Sequence, residues 1–324
     1  MYRLIRKLLF ALDAETAHEW TVEQIRRVQS IPVALRMIAR LCAAPPAPVR
    51  LWGLTFRNPI GIAAGFDKNA VMMPMLAALG FGFIEVGTVT LRAQEGNPRP
   101  RLFRDSARGA LVNRLGFNND GADVVAERLR AWRVAPAAEA AAATPLFVNI
   151  GKNRDVPLEG AAEAYAACAE KLARYADALV INISSPNTPG LRELQRPEHL
   201  ERIVGIVSGR KLVKIAPDLD DAQIAEICDV CIKRADGMIC TNTTATDRGG
   251  LSGKPLMQRS TEVLAKVRSR VGKDFPLVGV GGVFSAQDVR AKMQAGADLL
   301  QLYTGFIYEG PMIVKKLLRM TVAK

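Results

Sequence analysis

The chain has 324 residues, 49% of them apolar and 23% charged, with a formal net charge of +12. That length suits one large barrel or two ordinary domains, and the composition is that of a soluble globular fold with a sizeable core. The charge suits nucleic acid, an anionic bilayer surface or small anions, but the aromatics do not interleave with the basic residues and no nucleic-acid motif is present, so nucleic acid is not an expected partner.

Residues 1–42 differ from the rest. Tyr2, Ile5, Leu8, Leu9 and Leu12 recur at helical spacing beside Arg3, Arg6 and Lys7. A second pattern runs through Ala17, Trp20, Val22, Ile25 and Val28, beside Arg26 and Arg27. Pro32 starts a third piece with Leu35, Ile38 and Leu41 along one side. Short helices with apolar faces and basic flanks serve either as a cap on the main domain or as a membrane-facing element, and periodicity does not choose between them. No apolar run approaches the roughly 20 residues of a membrane span, and no cleavage-site pattern follows a short apolar core. Any membrane contact is therefore expected from the side. A stiff Pro-rich linker, 43–48, marks the boundary with a main domain over 49–324.

Beyond the linker, short β-branched runs alternate with helical patterns. Strands are expected at 61–64, 84–87, 146–150, 179–183, 212–215, 237–240, 277–279 and 299–303. Helices are expected near 70–79, 120–132, 160–174, 197–208, 220–234, 259–271, 285–295 and 310–322. Eight strand–helix units in series predict an α/β fold, a closed (β/α)8 TIM barrel. The rival doubly wound sheet would need a glycine fingerprint after its first strand and an acidic residue some 20 positions on, and neither is so arranged. Two stretches break the rhythm. Residues 91–118 read as an excursion over the top of the barrel, and the alanine-rich 135–144 as a helix extension or loose loop.

Barrel sites form where strands end, and every strand end here is polar. The first carries Ala64, Gly65, Phe66, Asp67 and Lys68, and the second Thr88. The third carries Asn149, and the fourth runs from Asn182 through Ser185 to Asn187. The fifth has Lys214, the sixth Thr241, Asn242 and Thr243, the seventh Gly281 and Gly282, and the eighth Tyr303, Thr304 and Gly305. One such asparagine is usually a cap or turn. Eight polar ends in register are better explained by a bound polar ligand, because interior polar groups must find partners. The last two ends lie where barrels commonly bind phosphate, with small residues exposing backbone N–H groups and a helix N-terminus following. Lys214 could stabilise negative charge on a reduced flavin ring. The amides Asn113, Asn182, Asn187 and Asn242 each supply a donor and an acceptor, matching a planar pyrimidine-like ligand. No paired carboxylates, Ser-His-Asp set or metal cluster stands out, so hydrolysis is poorly supported. Cys228 and Cys231 form a lone CxxC in a helical pattern, and the only histidines are His18 and His199. Two helix thiols are expected there, and no metal site. Five scattered cysteines suit a reducing compartment.

Taken together, the strings LDAETAH, GLTFRNPIGIAAGFDKN, IEVGTVT, NPRPRLFR, NRLGFNN, NIGKN, NISSPNTPGLR, KIAPDL, TNTT, GGLSGKPL, GVGGV and YTGFIYEGP closely resemble the quinone-linked, class 2 dihydroorotate dehydrogenases over almost the full chain. The resemblance implies FMN held by Ala64, Gly65, Phe66, Asp67, Lys68, Thr88, Asn149, Asn182, Lys214, Thr241, Gly253, Gly282, Tyr303 and Thr304. It implies dihydroorotate held by Lys68, by Asn113, Arg114, Leu115, Gly116 and Phe117, and by Asn182, Asn187, Asn242 and Thr243. Ser185 matches the family's catalytic base, taking a proton from C5 while hydride leaves C6; a free serine is a poor base, so it must act within a polarised network. Its other reading is a turn-forming hydroxyl before Pro186.

Soluble class 1 members generally carry a cysteine base and lack the N-terminal helices; this chain has Ser185 and has the helices. The class 2 pattern implies that residues 1–42 form a quinone tunnel with His18, Arg104 and Tyr303 near its inner end. It also implies a peripheral membrane protein acting in pyrimidine biosynthesis, expected as a monomer; with no transit-peptide or transmembrane pattern in the sequence, the cytoplasmic side of a bacterial inner membrane is the expected location. A soluble class 1 enzyme, another FMN barrel such as a tRNA dihydrouridine synthase, and a non-catalytic membrane-binding barrel are the alternatives. Two segments are shorter than in typical relatives, one between Thr244 and Gly249 and one before Lys211, which touches lid details rather than chemistry.

Overall fold

Each of the eight apolar runs forms a strand, paired in parallel with the next. The structure is a computed structural model describing residues 2–134 and 144–322. The helices are α1 Tyr2–Ala11, α2 Ala14–Gln29, α3 Pro32–Cys42, α4 Met73–Ala78, α5 Ala122–Val134, α6 Ala161–Leu172, α7 Pro197–Ile206, α8 Asp221–Arg234, α9 Met257–Val271, α10 Ala286–Gln294, α11 Thr304–Glu309 and α12 Ile313–Val322. The barrel strands are β3 Ile60–Ile62, β4 Ile84–Val89, β7 Leu146–Ile150, β8 Ala178–Asn182, β9 Lys211–Ile215, β10 Gly237–Cys240, β13 Leu277–Val280 and β14 Leu299–Leu302. They close in sequence order, with β14 pairing back to β3. The alanine-rich 135–143 stretch lies outside the described residues.

Three hairpins escaped the sequence reading. At the N-terminal mouth, β1 Val49–Leu51 and β2 Leu54–Phe56 pair antiparallel. Trp52 and Gly53 make the two-residue turn, both at positive φ, as a tightly twisted hairpin requires. The hairpin sets Phe56 against Phe83 and Phe147 in a fully buried aromatic cluster that fills the barrel interior from below. Gly61 admits this cluster, because a Cβ there would lie 2.5 Å from the Phe83 ring. At the opposite mouth, the excursion after β4 forms β5 Leu102–Asp105 and β6 Ala110–Asn113. The shortened segment after Thr244 forms its partner, the hairpin β11 Thr244–Thr246 and β12 Gly249–Gly253, with β12 paired to β6. The excursion is thus half of a four-stranded antiparallel sheet over the site. A further helix missed by the reading, α11, starts directly at the end of β14.

The N-terminal helices pack on the barrel and still leave an apolar surface. Asp13 caps α2 by accepting from the Glu15 and Thr16 backbone N–H groups. Glu15 is buried against Arg101, which donates to it at 2.8 Å. Gln29 donates to the Val71 carbonyl at 2.6 Å, and Arg104 donates to the carbonyls of Leu12 and Phe10 at the end of α1. On the outer side Leu4, Ile5, Leu8, Leu12, Trp20, Ile31, Val33, Met37 and Leu41 are exposed. Ile5, Leu8 and Trp20 thus lie on the outward side that periodicity left open, while Leu41, grouped in sequence with Leu35 and Ile38, is exposed and Cys42 completes their packed side instead. No helix among the described residues is long and apolar enough to cross a membrane.

Candidate active site

The polar strand ends converge on one open pocket of about 990 Å³ at the C-terminal mouth of the barrel. Its walls hold Ala64, Gly65, Lys68, Thr88, Asn113, Leu115, Gly116, Phe117, Asn182, Ser185, Asn187, Lys214, Thr241, Asn242, Thr243, Gly253, Gly282, Tyr303 and Thr304.

One side of the pocket is a web of neutral amides. Asn182, at the end of β8, donates to Thr88 Oγ1 at 2.9 Å and to Asn149 Oδ1 at 3.1 Å. Its Oδ1 accepts from the Ser184 hydroxyl at 3.0 Å, and Ser184 Oγ accepts from Asn242 Nδ2 at 3.0 Å. Asn187 Nδ2 donates to Asn113 Oδ1 at 2.9 Å, tying the β8 loop to the overlying sheet. Ser185 is buried, and its Oγ accepts the Asn187 backbone N–H at 3.2 Å. Its turn-forming contact and its place in the pocket therefore coexist. Arg192, not foreseen, fastens these loops by donating to the carbonyls of Ser184 and Thr243 while pairing with Asp218.

The pocket floor is charged. Lys214 Nζ lies 3.4 Å from Glu85 Oε1, and Asn149 Nδ2 donates to the same oxygen at 2.7 Å. Gln301 Nε2 donates to the other carboxylate oxygen. Glu85 and Gln301 were missed because each is a single polar residue inside an apolar strand. Opposite, Gly281 and Gly282 have φ values of 104° and 75°, which a side chain would strain, and Ser252 Oγ meets Thr304 Oγ1 at 2.9 Å.

Four of the expected ligand residues are not among those lining this pocket. Asn149 lies beneath it as a support for Thr88, whose Oγ1 donates to Asn149 Oδ1 at 2.6 Å. Asp67 is buried and accepts from the Val71 and Met72 backbone N–H groups. Arg114 donates to the Pro100 carbonyl. Phe66 turns the other way, its ring 6.1 Å from that of Tyr303 and 5.5 Å from that of His18.

Phe66 faces a second cavity of about 860 Å³ under α2, lined also by His18, Val22, Val71, Leu102 and Tyr303. Lys68, Leu115 and Tyr303 line both cavities and form the wall between them. Burial, helped by the Lys68 charge, pushes His18 down to about 3, so its imidazole is neutral. Burial pushes the Tyr303 phenol up to about 12 and Lys68 down to about 8. Arg104 is not among the lining residues; its guanidinium sits over the Phe10 ring and caps α1. Cys228 and Cys231 are free and buried on α8, and no cluster that could hold a metal occurs among the described residues.

The fold and pocket can be set against known proteins. The family model described as dihydroorotate dehydrogenase matches residues 47–322. A protein of Alkalilimnicola ehrlichii named dihydroorotate dehydrogenase (quinone) is 45% identical over 344 residues, covering 98% of each chain. Its namesake from Burkholderia lata is 46% identical, covering 98% of this chain and 96% of that protein. The structure of Eimeria tenella DHODH in complex with ferulenol superposes with a TM-score of 0.77 at 35% identity, covering 88% of this chain and 89% of that one. With sequence, fold and pocket in agreement, this chain belongs to the dihydroorotate dehydrogenase family.

Proposed function

We propose that this protein oxidises dihydroorotate to orotate in pyrimidine biosynthesis, with FMN in the barrel pocket and a membrane quinone as terminal electron acceptor. The observation that carries the reading is the single wall, Lys68, Leu115 and Tyr303, shared by a polar barrel pocket and a separate cavity beneath the N-terminal helices. A substrate oxidised on one side and an acceptor reduced on the other suit two cavities in contact.

The residues fit a flavin nucleotide. Gln301 Oε1 is a buried acceptor without a partner among the described residues, which calls for a ligand N–H at the pocket floor. Lys214 supplies a cation beside it, and the strand-seven glycines and Thr304 form a small-residue cradle suited to phosphate. When bound, FMN supplies an acceptor for the hydride leaving C6 of dihydroorotate.

The chain's own residues do the rest. Ser185 Oγ takes the C5 proton as its own hydroxyl proton passes to solvent water at the open mouth of the pocket. The Asn187 N–H aimed at that oxygen stabilises the negative charge that develops on it. Asn113, Asn187 and Asn242 read the alternating carbonyl and N–H edge of the substrate ring. Lys68 pairs with the substrate carboxylate from the wall between the cavities.

Lys68 gives a pH test. It is cationic below about 8 and neutral above, so an anion held by it binds well at low pH and is released as pH rises. The dissociation constant of orotate, read from its perturbation of the flavin spectrum, should rise roughly tenfold per unit above pH 8. The Lys68→Met variant should bind orotate weakly with no such rise; a flat profile in the parent protein would remove Lys68 from the site.

We assign residues 1–42 as the quinone entrance, 43–48 as the linker and 49–324 as the barrel. The exposed apolar residues of α1–α3, with the basic residues beside them, suit a monomer lying on the cytoplasmic face of a bacterial inner membrane. His18 and Tyr303, both uncharged, would face the quinone. Arg104 would act from further out by holding the end of α1.

A further inference from the structure

Glu85 has no place in the reading above, and Gln301 enters it only as an acceptor for an unspecified ligand N–H, yet both are almost completely buried at the pocket floor. Gln301 Nε2 donates to Glu85. An ionised carboxylate only accepts hydrogen bonds, so it fixes which way the amide faces. The NH₂ group must point at Glu85, leaving Gln301 Oε1 on the other side, where it has no partner among the described residues. The same carboxylate is 3.4 Å from Lys214 Nζ. One buried anion therefore sets an acceptor and a cationic donor side by side at the ends of β14 and β9.

We propose that Gln301 recognises the pyrimidine end of the flavin, its Oε1 accepting N3–H, the one ring N–H of the oxidised isoalloxazine. Lys214 donates to the neighbouring carbonyl oxygen. Glu85 is a positioning residue: it orients the Gln301 amide and balances the Lys214 charge. The donor–acceptor order on the protein matches the adjacent C2 carbonyl and N3–H of the ring. This inference rests on the flavin reading.

The test is nuclear magnetic resonance of the full-length protein loaded with FMN labelled with nitrogen-15 in the ring. In the parent protein the N3–H proton should resonate downfield of free FMN and exchange slowly with water. In Gln301→Leu, close in volume, N3–H exchange should speed up by about tenfold, the scale of one lost hydrogen bond, while the N5 and N10 resonances stay in place. In Glu85→Gln the amide at 301 can face either way, and N3–H exchange should rise as well. Loss of the anion beside Lys214 should also raise the flavin midpoint potential, because an unbalanced cation favours the anionic reduced ring. An N3 resonance like that of free FMN in the parent protein would overturn the proposal, and that measurement needs no variant to fold. Unchanged N3–H exchange in Gln301→Leu would overturn it too. A protein that takes up no FMN would overturn the flavin reading itself, and this inference with it.

Discussion

Replacing Ser185 with alanine should leave FMN bound and its visible spectrum intact, while anaerobic bleaching by dihydroorotate slows by about a hundredfold to ten-thousandfold, the usual worth of a positioned general base. The site explains the separation of effects. Ser185 lies in the β8 loop, and its Oγ accepts only the Asn187 N–H among the described hydrogen bonds. The pocket floor, with Lys214, Glu85 and Gln301, is built from other strands and loses nothing in the variant. The β8 loop stays anchored by Arg192 through Ser184 and Thr243 and by the Asn187–Asn113 contact. Orotate affinity should therefore change far less than the bleaching rate. Stopped-flow absorbance gives the rate, and an unchanged rate would reject Ser185 as the base.

Removing residues 1–42 should bring quinone reduction to background while flavin reduction by dihydroorotate stays within a few-fold of the parent rate. Helix α2 supplies Glu15, His18, Glu19, Val22, Glu23 and Arg26 to the second cavity, so its loss removes one whole wall of it. The barrel pocket draws no lining residue from α1–α3. The buried Arg101 loses Glu15 but keeps the carbonyls of Glu95 and Asn97, which limits the cost to the overlying sheet. Phe66, Val71 and Leu102 become exposed, so the variant should be less soluble. Quinone turnover retained at the parent rate would dissociate the helices from the acceptor site.

The barrel was legible because its parallel strands are buried on both faces and read as short continuous apolar runs. Ser185, Lys214 and the asparagines were legible because polar residues recur at the same place in each repeat unit. What stayed hidden lacks such repetition. Glu85 and Gln301 are lone polar residues within strands, and only the closure that brings β4 and β14 into one barrel explains them. The β11–β12 hairpin looked like a truncated lid because nothing local says that β12 pairs with β6, more than a hundred residues away. On α3, Leu41 and Cys42 both fit a helical stripe, and the choice falls to what lies opposite: Cys42 contacts Met312 at the start of α12. Asp67 and Arg114 were expected at the cofactor and substrate through the family strings, but their side chains secure the loops that carry the ligand-facing residues.

The measurement closest to the central claim is an electron-acceptor profile of the FMN-loaded protein. Dihydroorotate, added without oxygen, should bleach the flavin, and a water-soluble quinone analogue should then restore the colour rapidly, while NAD and fumarate leave the protein bleached. Rapid recovery with NAD or fumarate but not with the quinone would contradict the account, as would a flavin that dihydroorotate fails to reduce.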